Sequence, residues 1–380
     1  MSSKAGCSRA AEAGRPRRAG ARARRSGLLL ALCGLFAAGA RCAEPASTDT
    51  IREFTAFATP VRIEMPAADA AQAASAAERI ESYFQAIGRD WYAFGEGELA
   101  RVNAALARGE PAVVSATLLP LIQRAMAFQQ RSEGLFDPGV CALVKLWGFD
   151  RGEHVDPSGT PPAAEALNRL HDSQGSMAGL QVTGNTLRSP RPLCIDLGGM
   201  AKGTALEGAR QLLAQHGIRH ALIDIGGSSL LGIGMRPAGP GHAARRWRIG
   251  LLDPGTRRVY AALELAPGEG VSTSGDYERA FVAGERRYHH VLDPRSGEPS
   301  AGAASVTVIA EDAELADMAS TALMVGGPER FAQLVEHLDL EYALLVSTTG
   351  ALHMTPAMRE RLMQSNGGRV PTLDWQGHRP

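Results

Sequence analysis

Hydrophobic and polar positions in the N-terminal part of the chain predict a strand followed by helices. Residues 54–65 alternate apolar and polar side chains, as a strand with one buried face does. Residues 68–86 are rich in alanine, and residues 98–107 and 116–130 repeat apolar side chains at helical spacing. These last three blocks predict helices.

The remainder of the chain mixes short strand patterns with further helices. Residues 247–292 contain several short apolar runs separated by proline and glycine turns, which is typical of antiparallel strands. We therefore expect an α+β fold with antiparallel-rich sheets flanked by helices. The other strands are predicted at 193–197, 221–225 and 305–310, with a hairpin arm at 180–187 and a hairpin at 342–352. The other helices are predicted at 201–216, 313–324 and 328–337.

The N-terminus has the pattern of an export signal. Residues 15–25 are rich in arginine, residues 27–40 are apolar but too short to cross a membrane, and Ala38-Gly39-Ala40 fits a cleavage site. We expect a periplasmic protein. The predicted organisation is a signal peptide at 1–40, a linker at 41–50, one domain at 51–363 and a polar tail at 364–380.

Two details of export stay open. Arg24-Arg25 fits a twin-arginine signal as well as an ordinary basic leader. Cys42 follows the apolar run as a lipoprotein cysteine does, but the preceding Arg41 disfavours lipidation. A lipid anchor and an association with the inner membrane therefore remain alternatives rather than expectations.

Composition narrows the range of functions. The 380-residue chain is 44% apolar, which is enough for a large core. Its formal charge is zero, but the first 40 residues carry eight basic side chains and one acidic one, leaving 32 basic against 39 acidic. The remaining chain lacks the basic surface that nucleic acids require, so we exclude DNA and RNA as partners.

Three cysteines remain after the leader, namely Cys42, Cys141 and Cys194. This odd, widely spaced set contains no Cys-x-x-Cys pair, which argues against a zinc site and against a disulfide framework. Cys141 and Cys194 could pair in an oxidising compartment, but two buried thiols are the favoured interpretation.

The segment Asp-Leu-Gly-Gly-Met-Ala-Lys-Gly at 196–203 is the strongest candidate for a phosphate site. Gly198 and Gly199 let the backbone approach a bulky ligand. Lys202 falls in the first turn of a predicted helix, where free N–H groups favour an anion. Because the spacing matches neither the Walker A nor the Rossmann motif, it indicates a phosphorylated cofactor in a less common fold.

Asp317 and Thr321 are candidate metal ligands. They are four residues apart in a predicted helix, so they lie on one face, and hard oxygen ligands of this kind suit Mg²⁺. Two alternatives need no metal: Thr321 can bond back to the carbonyl of Asp317, and Asp317 can simply be solvated.

His289 and His290 offer a candidate general base. Adjacent residues of a strand point to opposite faces, so at most one imidazole reaches a given pocket, and we expect the other to be solvated.

Residues 271–277 predict a hydroxyl-rich turn that either binds phosphate or merely connects a hairpin. The Gly-Gly within residues 223–229 either flanks the same ligand or makes a tight turn. Trp147 and Phe149 could stack on a flat ring, but we favour the interpretation that they pack in the core.

Taken in order, these segments resemble the FAD:protein FMN transferase family, also called ApbE. The motifs span roughly residues 57–346, and their ordered set is more specific than any one of them. The matching motifs are Glu-Gly-Leu-Phe-Asp at 133–137, Leu-Trp-Gly-Phe at 146–149, the 196–203 segment, Gly226-Gly227, Thr-Ser-Gly at 273–275, His-Val-Leu-Asp-Pro at 290–294 and Ala-Asp with a threonine four residues later at 316–321.

The resemblance implies a T-fold-like α+β architecture with a flavin site between its parts, and transfer of FMN from FAD to a threonine of a partner protein, with release of AMP. It implies Mg²⁺ on the FAD pyrophosphate and, as acceptor, a respiratory or other exported flavoprotein. By matching position, Ala201 (through its carbonyl), Asp317 and Thr321 would bind the metal and His290 would be the base. The implied flavin or phosphate contacts are Phe57, Asp137, Asp196, Lys202, Thr273, Ser274 and Gly275.

The chain departs from the family pattern at three places. Phe57-Ala58-Thr59 stands where Met-Gly-Thr is usual, Pro138 begins the turn where Thr is usual, and Ser228 stands where an acidic residue is common. Two alternatives to transfer therefore stay open: hydrolysis of FAD to FMN and AMP, and a flavin-binding carrier or assembly factor without catalysis.

Overall fold

The structure, a computed structural model, describes residues 50–151, 156, 159–238, 243–369 and 371. The predicted signal peptide, nearly all of the predicted linker and most of the predicted tail lie outside these residues. Within the described part of the chain, no helix combines the length and the apolar character needed to cross a membrane.

The fold is α+β, as the sequence predicts, and the described strands pair antiparallel. Eight of them form a central sheet in the order β1-β2-β6-β7-β10-β13-β14-β15, and smaller sheets comprise β3-β5-β4, β8-β9 and β11-β12. The strands are β1 (Thr50–Ala56), β2 (Thr59–Met65), β3 (Ala112–Val113), β4 (Gln181–Thr183), β5 (Thr186–Arg188), β6 (Ala221–Ile225), β7 (Ser229–Ile233), β8 (Trp247–Leu252), β9 (Val259–Leu265), β10 (Gly270–Gly275), β11 (Ala280–Ala283), β12 (Arg286–His289), β13 (Ala303–Ala310), β14 (Tyr342–Ser347) and β15 (Leu352–Met354).

Helices cover the central sheet on both faces. On one face, Phe84, Leu206 and Leu323 belong to a large apolar core beneath the longer helices. On the other face, Trp247 of β8 and Met358 of the last helix close a second, smaller core. The helices are α1 (Ala70–Asp90), α2 (Glu98–Ala107), α3 (Leu118–Arg131), α4 (Cys141–Trp147), α5 (Ala164–Ser173), α6 (Ala201–Gln215), α7 (Ala313–His337) and α8 (Pro356–Ser365).

The prediction of a single strand over residues 54–65 is wrong, because the chain turns back at Phe57 and Ala58. Both residues have a left-handed backbone, with φ of 54° and 59°. They join β1 to β2 in a two-residue hairpin whose register pairs Ala56 with Thr59. Such turns normally carry glycine or asparagine, so the sequence offered no signal for this one.

The predicted strand at residues 193–197 is also not formed. Asn103 takes the place of a neighbouring strand, since its side chain accepts a hydrogen bond from the Ile195 N–H and donates one to the Ile195 carbonyl, both at 2.8 Å. The Asp196 N–H donates to the Pro138 carbonyl at 2.7 Å. An apolar run can therefore be buried as a loop when other groups satisfy its backbone.

The prediction of two helices at 313–324 and 328–337 is confirmed by a break inside α7. Gly327 has φ of 65° and ψ of −173°, and Pro328 follows it. Proline cannot donate a backbone hydrogen bond, and the left-handed glycine redirects the chain. The N-terminal half of α7 is thereby free to pack against α6.

The packed part of the chain continues past Gln364. Asn366 donates to the Ala262 carbonyl at 2.8 Å and accepts from the Ala262 N–H at 3.1 Å, so its amide bonds to β9 as another strand would. Ser365 accepts from the Glu264 N–H at 3.2 Å. The beginning of the predicted tail is therefore held against the second core.

Cys141 and Cys194 form a disulfide, so the interpretation as two free thiols is wrong. Their Cα atoms are 5.1 Å apart, within the usual range for a disulfide, because the 138–141 turn and the 193–197 loop run side by side.

Replacing both cysteines with alanine is expected to lower the free energy of unfolding by about 2–4 kcal/mol, because the bridge closes a loop in the unfolded chain. The two residues are 53 positions apart. Urea unfolding without reductant measures the loss, and dithiothreitol on the unaltered protein should reproduce it. An unchanged unfolding midpoint would contradict the prediction.

Candidate active site

The first turn of α6 meets the first half of α7. The Gly203 N–H is one of the unpaired donors at the start of α6, and it donates to Asp317 Oδ2 at 2.9 Å. A Cβ on Gly203 would lie 2.4 Å from the Ala313 carbonyl oxygen and 2.8 Å from the Asp317 Cβ. The glycine therefore permits the close approach that brings the 196–203 segment beside Asp317.

Asp317 is buried in a ring of hydroxyl groups. Its Oδ1 lies 3.2 Å from the hydroxyl of Ser272 and 3.4 Å from that of Ser229. Burial raises the pKa of this carboxyl, while the charge of Lys202 and the bond from Gly203 oppose the rise. The carboxylate thus has hydrogen-bond donors but no salt-bridge partner at contact distance among the described residues. A cation beside it would offset the cost of its burial.

Thr321 lies one turn further along α7. Its hydroxyl donates to the Asp317 carbonyl at 3.3 Å, which is the back-bonded arrangement that a helix allows, and it lies 3.5 Å from the hydroxyl of Ser274. A Cβ on Gly199 would lie 3.4 Å from this hydroxyl. Back-bonding uses the proton and leaves lone pairs on the oxygen, so the residue can still accept a metal ion.

The oxygen donors of Ala201, Asp317 and Thr321 suit Mg²⁺ and do not suit a softer metal. Ala201, the first residue of α6, lies between Gly199, which approaches Thr321, and Gly203, which bonds to Asp317. One carboxylate, one hydroxyl and one carbonyl are hard donors that leave room for phosphate and water. No cluster of three His, Cys, Asp or Glu side chains able to hold a metal occurs in the described ranges.

Lys202 connects the metal-ligand candidates with the histidine. Its ammonium donates to the hydroxyl of Ser228 at 2.7 Å, and the Ser228 carbonyl accepts from the Thr273 N–H at 2.7 Å. The charge of Lys202 acts on both Asp317 and His290. The lysine is therefore near two groups that are 27 residues apart in sequence, and it is placed to attract a phosphate there.

His290 follows the last strand of the β11-β12 hairpin. Its N–H donates to the Arg279 carbonyl at 3.1 Å, and its Nδ1 is buried without a hydrogen-bond partner within the described part of the protein. Burial lowers its pKa well below the usual value, and the charges of Arg279, His289 and Lys202 lower it further. The imidazole is therefore neutral near pH 7 and able to accept a proton.

The neighbouring His289 faces the other way, as strand alternation predicts, but it is not solvated. The side chain is 4% exposed, and its Nε2 lies 3.0 Å from the Ser300 carbonyl. The expectation of a solvated imidazole is wrong because the segment after Pro299 covers that face of the hairpin.

Asp196 and Asp137 each use a carboxylate oxygen to hold a turn. Asp196 accepts from the Gly198 N–H at 2.9 Å, and Asp137 accepts from the Gly139 and Met177 N–H groups at 2.7 and 3.2 Å. Burial raises the pKa of both carboxyls, and the Arg279 charge opposes the rise at Asp196. Asp137 also lines a cavity of about 300 Å³.

The hydroxyl-rich segment 271–277 is mainly the central strand β10, not a turn. Successive side chains alternate faces, so Ser272 and Ser274 point toward α7, where Ser274 lies 2.8 Å from the hydroxyl of Ser320. Thr273 points to the opposite face and lies 2.9 Å from the hydroxyl of Thr307. The structure therefore brings Ser274, but not the Thr273 side chain, to Thr321.

Gly275 and Phe57 lie near the edge of this arrangement. A Cβ on Gly275 would meet the Tyr277 ring at 2.5 Å, so the glycine is needed for local packing. Phe57 packs against Phe84, with ring centroids 5.6 Å apart, and a Cβ on Gly226 would lie 2.3 Å from the hydroxyl of Thr59. The β1-β2 turn thus lies beside the Gly226-Gly227 turn, and its aromatic ring contributes to the core.

Two further predictions from the sequence are settled by contacts. Gly226 and Gly227, with φ of 65° and 68°, make a tight turn between β6 and β7 that Asp224 caps at 2.7 Å. Trp147 and Phe149 are core residues, stacked at 6.4 Å within a buried aromatic cluster.

Three residues around the site were not singled out from the sequence, namely Ser229, Ser272 and Arg279. Ser229 and Ser272 are directly opposed on β7 and β10, and no local pattern in the sequence indicates that pairing. Arg279 had no local signal either, because only the pairing of β11 with β12 places it opposite His290.

Replacing Gly203 with alanine is expected to lower the free energy of unfolding by about 1–3 kcal/mol, because the new methyl group forces α6 away from α7. The same displacement would separate Gly203 from Asp317 and weaken Mg²⁺ binding. Urea unfolding and a Mg²⁺ titration of the melting temperature measure the two effects. A variant with unaltered stability and Mg²⁺ response would show that the helices need not approach so closely.

Comparison with known proteins shows the family to which this chain belongs. The model of the ApbE family matches residues 57–345. An FAD:protein FMN transferase of Rhodobacter capsulatus is 37% identical over 349 residues, covering 90% of this chain and 64% of that protein. An FAD:protein FMN transferase of Treponema pallidum is 34% identical over 291 residues, covering 73% of this chain and 76% of that protein.

Solved structures give the same result. The crystal structure of an ApbE protein from Thermotoga maritima has a TM-score of 0.74 and 30% identity, covering 83% of this chain and 99% of that one. The flavin transferase ApbE from Vibrio cholerae has a TM-score of 0.71 and 26% identity, covering 83% of this chain and 100% of that one. The chain spans less than two thirds of the Rhodobacter protein, but it covers these two structures almost completely. The chain therefore belongs to the ApbE family of FAD:protein FMN transferases.

Proposed function

We propose that this protein uses Mg²⁺ to transfer FMN from FAD to a threonine hydroxyl of an exported partner protein, with release of AMP. The observation that carries the proposal is the arrangement around Lys202, whose charge acts both on the buried carboxylate of Asp317 and on the neutral imidazole of His290. A phosphate bound there would lie between a metal-ligand set and a base.

Asp317, Thr321 and the carbonyl of Ala201 would hold the metal. When bound, Mg²⁺ supplies positive charge that neutralises the FAD pyrophosphate. Lys202 adds a second cation, and the hydroxyl of Ser228 holds the ammonium in place at 2.7 Å. The N–H groups at the start of α6 contribute further positive potential toward the same phosphate.

His290 would act as the general base. Its neutral imidazole accepts the proton of the acceptor threonine, whose oxygen attacks the FMN phosphorus. The bond between that phosphorus and the bridging oxygen breaks, and AMP leaves with the bridging oxygen. The partial burial of His290 limits the access of bulk water to the base, which favours a protein hydroxyl over hydrolysis.

We further propose that the protein works in the periplasm and that its acceptor is a respiratory or other exported flavoprotein. The basic and apolar leader supports export. The disulfide between Cys141 and Cys194 supports it independently, because such bonds persist mainly in oxidising compartments.

The test is to incubate the purified protein with FAD, MgCl₂ and candidate exported flavoproteins. The expected result is a fluorescent acceptor band that survives denaturation, together with one AMP per flavin attached. EDTA should abolish both, and an acceptor with its threonine replaced by alanine should give neither. AMP released without any labelled acceptor would favour hydrolysis, and FAD retained unchanged would favour a carrier; either result would overturn the proposal.

A further inference from the structure

Arg279 lies directly opposite His290 in the β11-β12 hairpin. The register pairs Ala280 with His289, and the His290 N–H donates to the Arg279 carbonyl at 3.1 Å, so the pairing extends one step beyond the strands. Directly opposed residues project to the same face of a two-stranded ribbon. The backbone therefore places the arginine and the imidazole side by side.

The same face of the hairpin is fixed by aromatic packing. Phe281 and Tyr288 are the next opposed pair on it, and their rings stack with centroids 5.3 Å apart. Both rings also pack against Trp147, at 6.4 and 5.4 Å. Because these rings pack together in a buried cluster, they hold the register of the hairpin, and that register places the backbones of Arg279 and His290 opposite each other at its end.

The guanidinium of Arg279 lies close enough to two partly buried groups to affect both. Its positive charge acts on the carboxylate of Asp196 and on the imidazole of His290. Asp196 belongs to the loop that leads into the first turn of α6, whereas His290 belongs to the hairpin. Arg279 therefore links the phosphate-binding segment to the base through charge.

We propose that Arg279 is a positioning residue for the transfer reaction: attracted by Asp196 and paired with His290 across the hairpin, its guanidinium keeps His290 in the neutral form that accepts a proton. The inference rests on the proposed function of His290 as the base. Arg279 itself need not touch the reacting atoms to have this effect.

Three charged or titratable groups act on His290, and burial adds to them. Burial is the largest cause of its lowered pKa, followed by Arg279 just before β11, His289 at the end of β12 and Lys202 on α6. Removing the arginine leaves the other three causes in place. The pKa of His290 should therefore rise without returning to its ordinary value.

The test is an NMR titration of the His290 imidazole in the free protein, compared among the unaltered chain, Arg279→Met and Arg279→Lys. The methionine variant should protonate at clearly higher pH, and the lysine variant should stay close to the unaltered protein because it keeps the charge. Arg279→Gln serves as the uncharged variant if methionine prevents folding. Arg287→Met is the matched control, since Arg287 lies on the opposite face of the same hairpin with an Asp276 oxygen at 3.9 Å.

The pH dependence of kcat gives the second readout. In the uncharged variants the acid limb should move to higher pH, with kcat nearly restored on the alkaline plateau. A merely structural role would lower kcat at every pH. An unchanged titration of His290 in a folded, uncharged variant would overturn the inference whether or not transfer occurs. If the titration shifts but the acid limb does not, His290 is not the base and the positioning role fails with it.

Discussion

Replacing Asp317 with asparagine is expected to reduce FMN transfer by about 10²–10³-fold or more. The amide is the same size as the carboxylate, so it can still accept from the Gly203 N–H and stay within reach of Ser272. It lacks the negative charge that a hard cation requires, and metal-linked stabilisation of phosphate charge is worth several kcal/mol. The measurement is the rate of AMP release at saturating FAD with an acceptor protein present.

The stability of the same variant separates loss of metal from loss of fold. Without Mg²⁺, the variant should be at least as stable as the unaltered protein, because it no longer buries a charge. Mg²⁺ should raise the melting temperature of the unaltered protein and leave that of the variant unchanged. Asp339→Asn is the matched control, since Asp339 is exposed and should respond like the unaltered chain. Normal turnover in Asp317→Asn would remove the carboxylate from the mechanism.

Local pattern was enough to predict the elements in which one periodicity dominates. The helix at residues 98–107 was predicted to the residue, and the strand at 221–225 likewise, because each is a short segment whose burial follows its pattern. Errors arose where non-local groups decided the conformation. Asn103 satisfies the backbone of Ile195 from 92 positions away, and no local window contains that information.

The candidate site divides in the same way. Residue type and spacing along one element identified Asp317, Thr321 and His290 as candidates, because their chemistry can be inferred without the fold. These residues come together only because several helices and strands pack closely against one another. Gly203 is an example, because the need for a glycine there is evident only once Ala313 and Asp317 are known to pack against it.

Forming this site is unfavourable for the free energy of folding, and the rest of the fold must offset that cost. Burial raises the pKa values of the Asp317 and Asp196 carboxyls and lowers that of the His290 imidazole, even though Asp196 and His290 are only partly buried, so the charged form of each group is less stable here than in water. Burying ionisable groups in this way is unfavourable for folding. The large apolar core around α6 and α7 and the disulfide at Cys194 in the 193–197 loop offset part of that cost.

Replacing His290 with alanine is expected to lower FMN transfer by about 10²–10⁴-fold, the range that a positioned general base contributes. Binding of FAD should be retained, because the residues assigned to the phosphates and the metal lie on α6, α7 and β10 and are untouched. Folding should also be retained, because the lost imidazole had a buried Nδ1 that made no hydrogen bond among the described residues. Flavin fluorescence titration measures binding, and labelling of the acceptor measures transfer.

His289→Gln is the matched control, because it changes the adjacent imidazole while keeping a donor near the Ser300 carbonyl. It should transfer FMN at a rate close to that of the unaltered protein, since residue 289 projects to the face of the hairpin opposite that of Arg279 and His290. The contrast between two neighbouring histidines tests the strand alternation as well as the chemistry. Turnover in His290→Ala equal to that of the unaltered protein would exclude His290 as the base. A larger loss in His289→Gln than in His290→Ala would assign that role to His289, on the opposite face of the hairpin.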